Sequence, residues 1–470
     1  MKITYSGGAN INLAGIYPKD DVWATKTITV TGNNTTDAEM YYKLTLVVDS
    51  NTFKTDDPLQ YELVSTNTST NGEIIPNISK TDLTENSIEL GSGHFVKANN
   101  AKHTYLLKIY YPKKTTSQNA NQGASFSAHV EITSAKAPTV STLAQTILAK
   151  NEVKAPITTP GAAISTADEA LLASTEDDNG TSYYFRGAVT NNYVEFANKC
   201  WRIVRVSGDG SVKLILHNDN PTGAANPCDA ANNSASAAFA RYSGETYKSA
   251  FNEKTDDNAY LGFMYGAAGA TDYASTHANT NNSTILTNLE AWYDKNNLKD
   301  YEKVIADTVW CNDKTNVEDK TYNPFTAGGN ATGLGYGTNK TYYGATKRLV
   351  GTSGSAGGTG PSLKCNGELS KITSKVGLIT ADELALAGYA YRLQNTTTYL
   401  QENATDTYWW SLSPGLFNGS YALVWYIIGS SGDFAHVYVF YTSGVRPSIS
   451  LKSTTNVTGN GTSEDPYVVE

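Results

Sequence analysis

Tyr408-Trp409-Trp410-Ser411-Leu412-Ser413-Pro414 opens the last part of the chain, and Gly444-Val445-Arg446-Pro447-Ser448-Ile449-Ser450-Leu451 closes it. Between them, Tyr421 to Tyr441 alternates strong strand formers around one Gly429-Ser430-Ser431-Gly432 turn. Two β-branched and aromatic runs joined by a short Gly-bounded turn predict a β-hairpin, here followed by a closing strand. Large aromatics on a hairpin that a core does not wholly need form a contact surface, which points to recognition rather than catalysis. The candidate ligand-binding residues are Phe417, Asn418, Tyr421, Trp425, Tyr426, Asp433, Phe434, His436, Tyr438 and Tyr441. Rigid rings beside adaptable Asn and Asp are the mixture that binding loops use. Strand alternation sends about half of such side chains inward. Tyr421, Leu423, Trp425 and Ile427 share one face, and Ala422, Val424, Tyr426 and Ile428 the other; the pattern leaves open which of them meets solvent. Trp409 and Trp410 read as core anchors, and Arg446 as a hydrogen-bonding brace.

Upstream, residues 181–452 read as mixed α+β. Trp201–Val206 and Val212–Leu216 flank Ser207-Gly-Asp-Gly210, a hairpin signal. Ser283–Leu298 places Ile285, Leu289, Trp292 and Tyr293 on one helical face. Thr380-Ala-Asp-Glu383 is a capping box for a helix over 381–387, which Gly388 can end. The Gly/Asn/Thr-rich stretch 326–360 reads as an extended loop. Taken with Tyr183-Tyr-Phe-Arg-Gly187, Cys200-Trp-Arg-Ile203, Gly377-Leu-Ile-Thr-Ala-Asp-Glu383 and the tail, this order of motifs resembles the C-type-lectin-fold domains related to formylglycine-generating enzymes. It is most similar to those of bacterial and phage surface proteins and retroelement-diversified receptors. That resemblance, over residues 181–451, implies a C-type-lectin-like domain whose ligand contacts, and whose sequence variation, cluster on the hairpin.

Residues 1–136 carry about seven short runs separated by Asn, Asp, Gly and Thr clusters, and Tyr42-Lys-Leu-Thr-Leu46 alternates with period two. The clearest are Lys26–Val30, Met40–Val48, Tyr61–Val64, His103–Tyr111 and Phe126–Ile132, and together they predict an all-β sandwich. Met40-Tyr-Tyr-Lys-Leu44, His103-Thr-Tyr-Leu-Leu-Lys-Ile109 and Asn121-Gln-Gly-Ala-Ser-Phe126 resemble the TasA/camelysin-type sandwiches of bacterial surface and matrix-fibre proteins, which implies a stalk or assembly role. Residues 137–180 read as a linker with one short amphipathic helix, on which Val140, Leu143, Ile147 and Leu148 sit at helical spacing and Thr139 or Ser141 is the N-cap. Residues 453–470 read as a tail. The expected architecture is therefore multidomain, a sandwich followed by an α+β domain.

The charge balance narrows the partners. A formal net charge of −9 with no Lys/Arg run offers no field for phosphates, so no nucleic-acid partner is expected. No stretch approaches the roughly 20 apolar residues that cross a bilayer. No apolar run follows Lys2, so no signal peptide is read there. The expectation is an extracellular or cell-surface protein whose leader is missing from this chain, touching a membrane only through such a leader or anchor and binding a protein or glycan on another cell surface. The four cysteines, Cys200, Cys228, Cys311 and Cys365, lack zinc-type spacing. Three pairings are open, with Cys311–Cys365 and Cys200–Cys228 the expected one; four buried free thiols are the alternative.

Catalytic patterns are missing. The oxidases of the resembled fold use a cysteine pair near the C-terminus, whereas the last cysteine here is Cys365. His94, His103, His129, His217, His277 and His436 are scattered, with no HExxH or nucleophile elbow. Glu176–Asn179 and Asp256–Asn258 lack EF-hand spacing and read as solvated acidic loops. Calcium-dependent sugar binding would need EPN or QPD with WND, and Trp310-Cys-Asn-Asp313 is not one. No enzyme, metal or cofactor is expected. The main expectation is an adhesion or ligand-binding protein, and the resemblance implies one diversified by a retroelement; the alternative is a structural subunit of a surface fibre with the hairpin as its interface.

Overall fold

The computed structural model describes residues 2–36, 38–67, 71–135, 142–326 and 329–470. It is β-rich, with 40% of residues in strands and 12% in helices. The chain divides into two compact units, Met1–Val140 and Ser141–Glu470.

The first unit is built from β1 (Lys2–Ser6), β2 (Ile11–Ala14), β3 (Lys19–Asn34), β4 (Met40–Asn51) and β5 (Gln60–Ser65). It continues with β6 (Ile78–Asp82), β7 (Ser87–Phe95), β8 (Ala98–Tyr111) and β9 (Ser125–Ser134). One antiparallel sheet runs β1-β3-β8-β5-β6 and the other β2-β9-β4-β7. Alternate residues of both sheets, among them Tyr42, Leu44 and Leu46 of β4 and Tyr105, Leu107 and Ile109 of β8, enter one shared core. This is the two-sheet sandwich that period-two patterning specifies.

That core holds a titratable group. His103 is fully buried, stacks on Phe95 at 4.0 Å and meets Tyr42 Oη through Nδ1 at 2.7 Å. Burial, with a smaller contribution from His94, pushes its imidazole down from 6.5 to about 4. Between those values the unfolded chain binds a proton that the folded unit refuses, so stability falls as pH drops through the window. About 3 kcal/mol is lost between pH 7 and pH 4, at 1.36 kcal/mol per pKa unit. Calorimetry of the full chain should show the first unit's transition falling over this range, and a His103→Phe variant should flatten it.

The second unit begins with α1 (Leu143–Lys150), whose N-cap is Thr142 in a capping box with Gln145. Thr139, Ser141 and Val140, expected at this end, lie outside the described residues. Leu143 and Ile147 join the unit's core, while Leu148 is exposed. The stretch expected as a linker to residue 180 is instead part of this unit. β10 (Ala170–Asp177) pairs along its whole length with β11 (Gly180–Gly187). The segment before it is tied down by a buried ion pair between Glu169 and Arg186. The expected tail is also structured, since β19 (Tyr467–Val469) runs parallel to a strand of the main sheet.

That sheet also contains β12 (Tyr193–Phe196), β13 (Lys199–Val206) and β14 (Val212–Asn218). β13 pairs with β11, β12 and β14, the last across the predicted Ser207–Gly210 turn. α2 (Thr284–Lys295) buries Ile285, Leu289, Trp292 and Tyr293 as its periodicity requires. The 326–360 stretch is not an uninterrupted loop: Thr341–Tyr342 joins a sheet, and α3 (Gly344–Leu349) follows. α4 (Ala381–Ala387) has the Thr380/Glu383 capping box, ends at Gly388, and is buried at every position. A second sheet contains β15 (Trp409–Phe417), β16 (Ala422–Ile428) and β17 (Asp433–Tyr438). The closing strand β18 (Ser448–Leu451) leaves that sheet and pairs with β14, and β19 follows it.

Both disulfides form, Cys200–Cys228 and Cys311–Cys365, across 28 and 54 residues of sequence. Such bonds persist in oxidising compartments, which fits an extracellular setting. Among the described residues no helix is long and apolar enough to cross a membrane.

Candidate binding surface

β16 and β17 form the predicted hairpin, with Leu423 opposite Tyr438, Trp425 opposite His436 and Ile428 opposite Asp433. Gly432 turns the chain at φ +65°, where a Cβ would run into the Asn395 carbonyl. The side chains of Trp425, Phe434 and His436 share one face, Tyr426 and Asp433 the other, as the pairing demands.

Neither face is a free surface. Trp425 and Phe434 are completely buried, and Tyr426 on the opposite side is 8% exposed. Trp425 lies 4.5 Å from the ring of Phe434, 4.0 Å from His436 and 5.6 Å from Tyr391. His436 Nε2 meets Thr346 Oγ1 at 3.2 Å. Packing around its ring, with Arg392 adding to the effect, pushes this imidazole down to about 3, so it stays neutral. Phe417, at the end of β15, is also fully buried. Asn418 spends its side-chain oxygen on the amides of Ser420 and Tyr421, so it shapes the turn. Half of the sequence-derived candidates therefore build the sheet, because both of its faces are covered.

The exposed aromatics gather at one end instead. Tyr421 is 44% exposed and Tyr441 43%, with Tyr438 half-buried between them. Tyr421 and Tyr438 meet edge to face at 5.1 Å. Phe440, absent from the sequence-derived set, is 40% exposed and stacks on Tyr438 at 5.7 Å and 12°. Tyr441 stands against both Tyr438 and Phe440, at 5.6 and 5.0 Å. Alternation from Tyr438 would place Phe440 on the face of Trp425, and the pattern alone does not say whether that face meets solvent. The strand ends at Tyr438, however, and alternation no longer applies beyond it. Val439, between the rings, is fully buried and anchors the segment through hydrogen bonds with Ala422, Phe251 and Asn252. Three exposed rings around the half-buried Tyr438, on a backbone held at Val439, are a preorganised apolar patch.

A second feature is a polar cavity of about 200 Å³ bordered by Arg205, Lys213, Asp313, Arg348, Asp382 and Glu383. Its charges are already matched. Arg205 pairs with Asp177 and Glu383 at 3.0 and 2.9 Å, Lys213 with Glu383 at 2.7 Å, and Arg348 with Asp313 and Asp382 at 2.7 and 2.6 Å. Burial opposes ionisation of Glu383, but Lys213 and Arg205 outweigh it and hold the carboxyl at about 2. Such a network braces the sheet against α3 and α4. The acidic loops expected to be solvated are partly drawn in: Asp177 is 7% exposed on Arg205, and Asp257 is 6% exposed, capping Ala259. Among the described residues, no cluster of three or more His, Cys, Asp or Glu side chains is placed to hold a metal ion.

No family model, curated protein or solved structure matches the chain.

Proposed function

We propose that the chain is an extracellular ligand-binding protein of the adhesin kind, which engages a protein or glycan on another cell surface through Tyr421, Tyr438, Phe440 and Tyr441. The four-ring cluster carries this reading: it stands outside the buried core, and the buried Val439 fixes its position. Stacked rings with tyrosine hydroxyls at their rims supply contact area at low entropic cost together with hydrogen-bonding capacity. The order of motifs over 181–451 supports assigning the second unit to the C-type-lectin-like group. The retroelement reading adds a requirement: variable positions must fall on the exposed rings and spare Trp425, Phe434 and Phe417.

The test is binding of labelled full-length protein to a glycan array and to intact bacterial cells, with a Tyr421→Ser/Tyr438→Ser/Phe440→Ser/Tyr441→Ser variant alongside. We expect a bound partner and a loss of roughly 30-fold or more in the variant, the scale of one strong hot spot. Its fold should be retained, as judged by near-UV circular dichroism. Equal binding by both proteins sinks the reading. Concentration-dependent polymerisation that the variant abolishes would replace it with the fibre-subunit alternative.

A further inference from the structure

Arg446 lies fully buried in the second unit. Its Nε donates to Leu216 O at 2.9 Å and its Nη1 to Leu400 O, so the guanidinium sits between residues 216–217 and 399–400. The Trp409 ring lies 5.0 Å from its Cζ. Its Nη2 has no hydrogen-bond partner. The carboxylate whose charge reaches it, Glu402, is committed to Arg202 at 3.1 Å and to Tyr193 Oη at 3.0 Å. A buried cation left in this state is expensive unless something neutralises it.

The groups around it are orphaned in the same sense. Trp409 Nε1, a donor only, has no partner, and neither has the hydroxyl of Tyr399, the residue preceding Leu400. His217 follows Leu216 and is fully buried. Asn403 accepts from the Ser234 amide through Oδ1, and its Nδ2 lies 2.8 Å from Asn233 Oδ1, 3.1 Å from His217 Nε2 and 3.2 Å from His217 O. His217 Nδ1 is also unpartnered. Three unsatisfied groups, on Trp409, Tyr399 and His217, accompany the unsatisfied Nη2 of the guanidinium itself. A water molecule could satisfy single groups here, but it would leave the charge in place. Orphaned buried donors beside an unmatched cation mark the position of an acceptor that carries negative charge.

We infer that Arg446, with His217, Tyr399 and Trp409 around it, holds a buried monoatomic anion of the halide class beneath the closing strand. It would neutralise the strand's arginine and fix β18 against β14 without any part in ligand contact. The site is independent of the aromatic patch, so the failure of one leaves the other standing.

The experiment uses the full-length protein and bromide as probe. Crystals grown in bromide should give an anomalous peak within hydrogen-bonding reach of Arg446 Nη2. The second unit's Tm, followed by near-UV circular dichroism, should be higher in chloride than in gluconate of equal ionic strength. The gap expected for a site filled to about ten times its Kd is roughly 2 °C. Arg446→Met should abolish that gap. Since this variant can fail to fold, Tyr399→Phe, which removes one hydroxyl and keeps the ring, should reduce it. Density without anomalous signal, together with equal Tm in the two salts, overturns the proposal and leaves an ordinary buried water.

Discussion

An Arg186→Met substitution should remove about 3–5 kcal/mol from the unfolding free energy of the second unit, the scale for breaking a buried ion pair from one side. Arg186 and Glu169 are both completely buried, with Nε 3.0 Å from the carboxylate. The guanidinium also donates to Ala385 O and Leu386 O at the end of α4, to Ala163 O, and to the Thr158 hydroxyl. Met matches its length but leaves those carbonyls and one carboxylate unpaired in the interior. Burial works against ionisation of Glu169, yet Thr158 and Arg186 together hold its pKa below the usual value. In the wild type the stability this carboxylate confers is present above its unfolded pKa and lost as pH falls through the depressed folded one. Without Arg186 burial dominates, the folded pKa rises, and acidification should stabilise the variant relative to its own neutral-pH value. An Arg186→Met/Glu169→Gln double variant should recover part of the loss, because the uncompensated charge is gone. Denaturant titrations followed by tryptophan fluorescence report this unit, which contains six of the seven tryptophans. A loss under about 1 kcal/mol would mean that the 155–169 segment is not anchored as described.

The same pair explains where sequence reading stops. Period-two alternation in Tyr42–Leu46, the α2 face from Ile285 to Tyr293 and the Thr380/Glu383 box are local signals, and each produced its element within a residue or two. Residues 155–169 carry Pro, Thr and Ser and no period, so composition alone makes them a linker. Their order comes from Arg186, and through it from carbonyls about 200 positions away. Asp177 reads as one of several solvated acids until Arg205 is brought beside it by the β11–β13 pairing. The tail becomes a strand only because β12 has a free edge for Tyr467–Val469. For the binding surface, the hairpin and its turn were legible, but the exposed face was not. Alternation separates two faces and is silent when Tyr391, Phe325 and Thr346 cover one while the opposite one is packed as well.

Trp425 and Tyr421 make that distinction measurable, since they lie four residues apart and alternation assigns them to one face. Trp425→Ala should cost about 3–5 kcal/mol of the second unit's stability, because an enclosed indole is exchanged for a cavity between Phe434, His436 and Tyr391. Tyr421→Ala should cost under about 1 kcal/mol, since its ring is 44% exposed and meets Tyr438 and Phe440 at the patch. Binding should rank them in reverse under conditions where both are folded: Tyr421→Ala weakens capture of the partner directly, whereas Trp425→Ala acts only as far as the cavity lets the outer rings shift. Thermal unfolding of the two variants, read beside their binding curves, separates the roles. Equal destabilisation by both would mean that the rings at the end of the hairpin belong to the core, and an adhesive role would then have to rest on another part of the second unit. A large stability loss confined to Trp425 leaves the outer rings as side chains whose removal the fold tolerates, the property a recognition surface needs if its residues are to change without unfolding the domain that presents them.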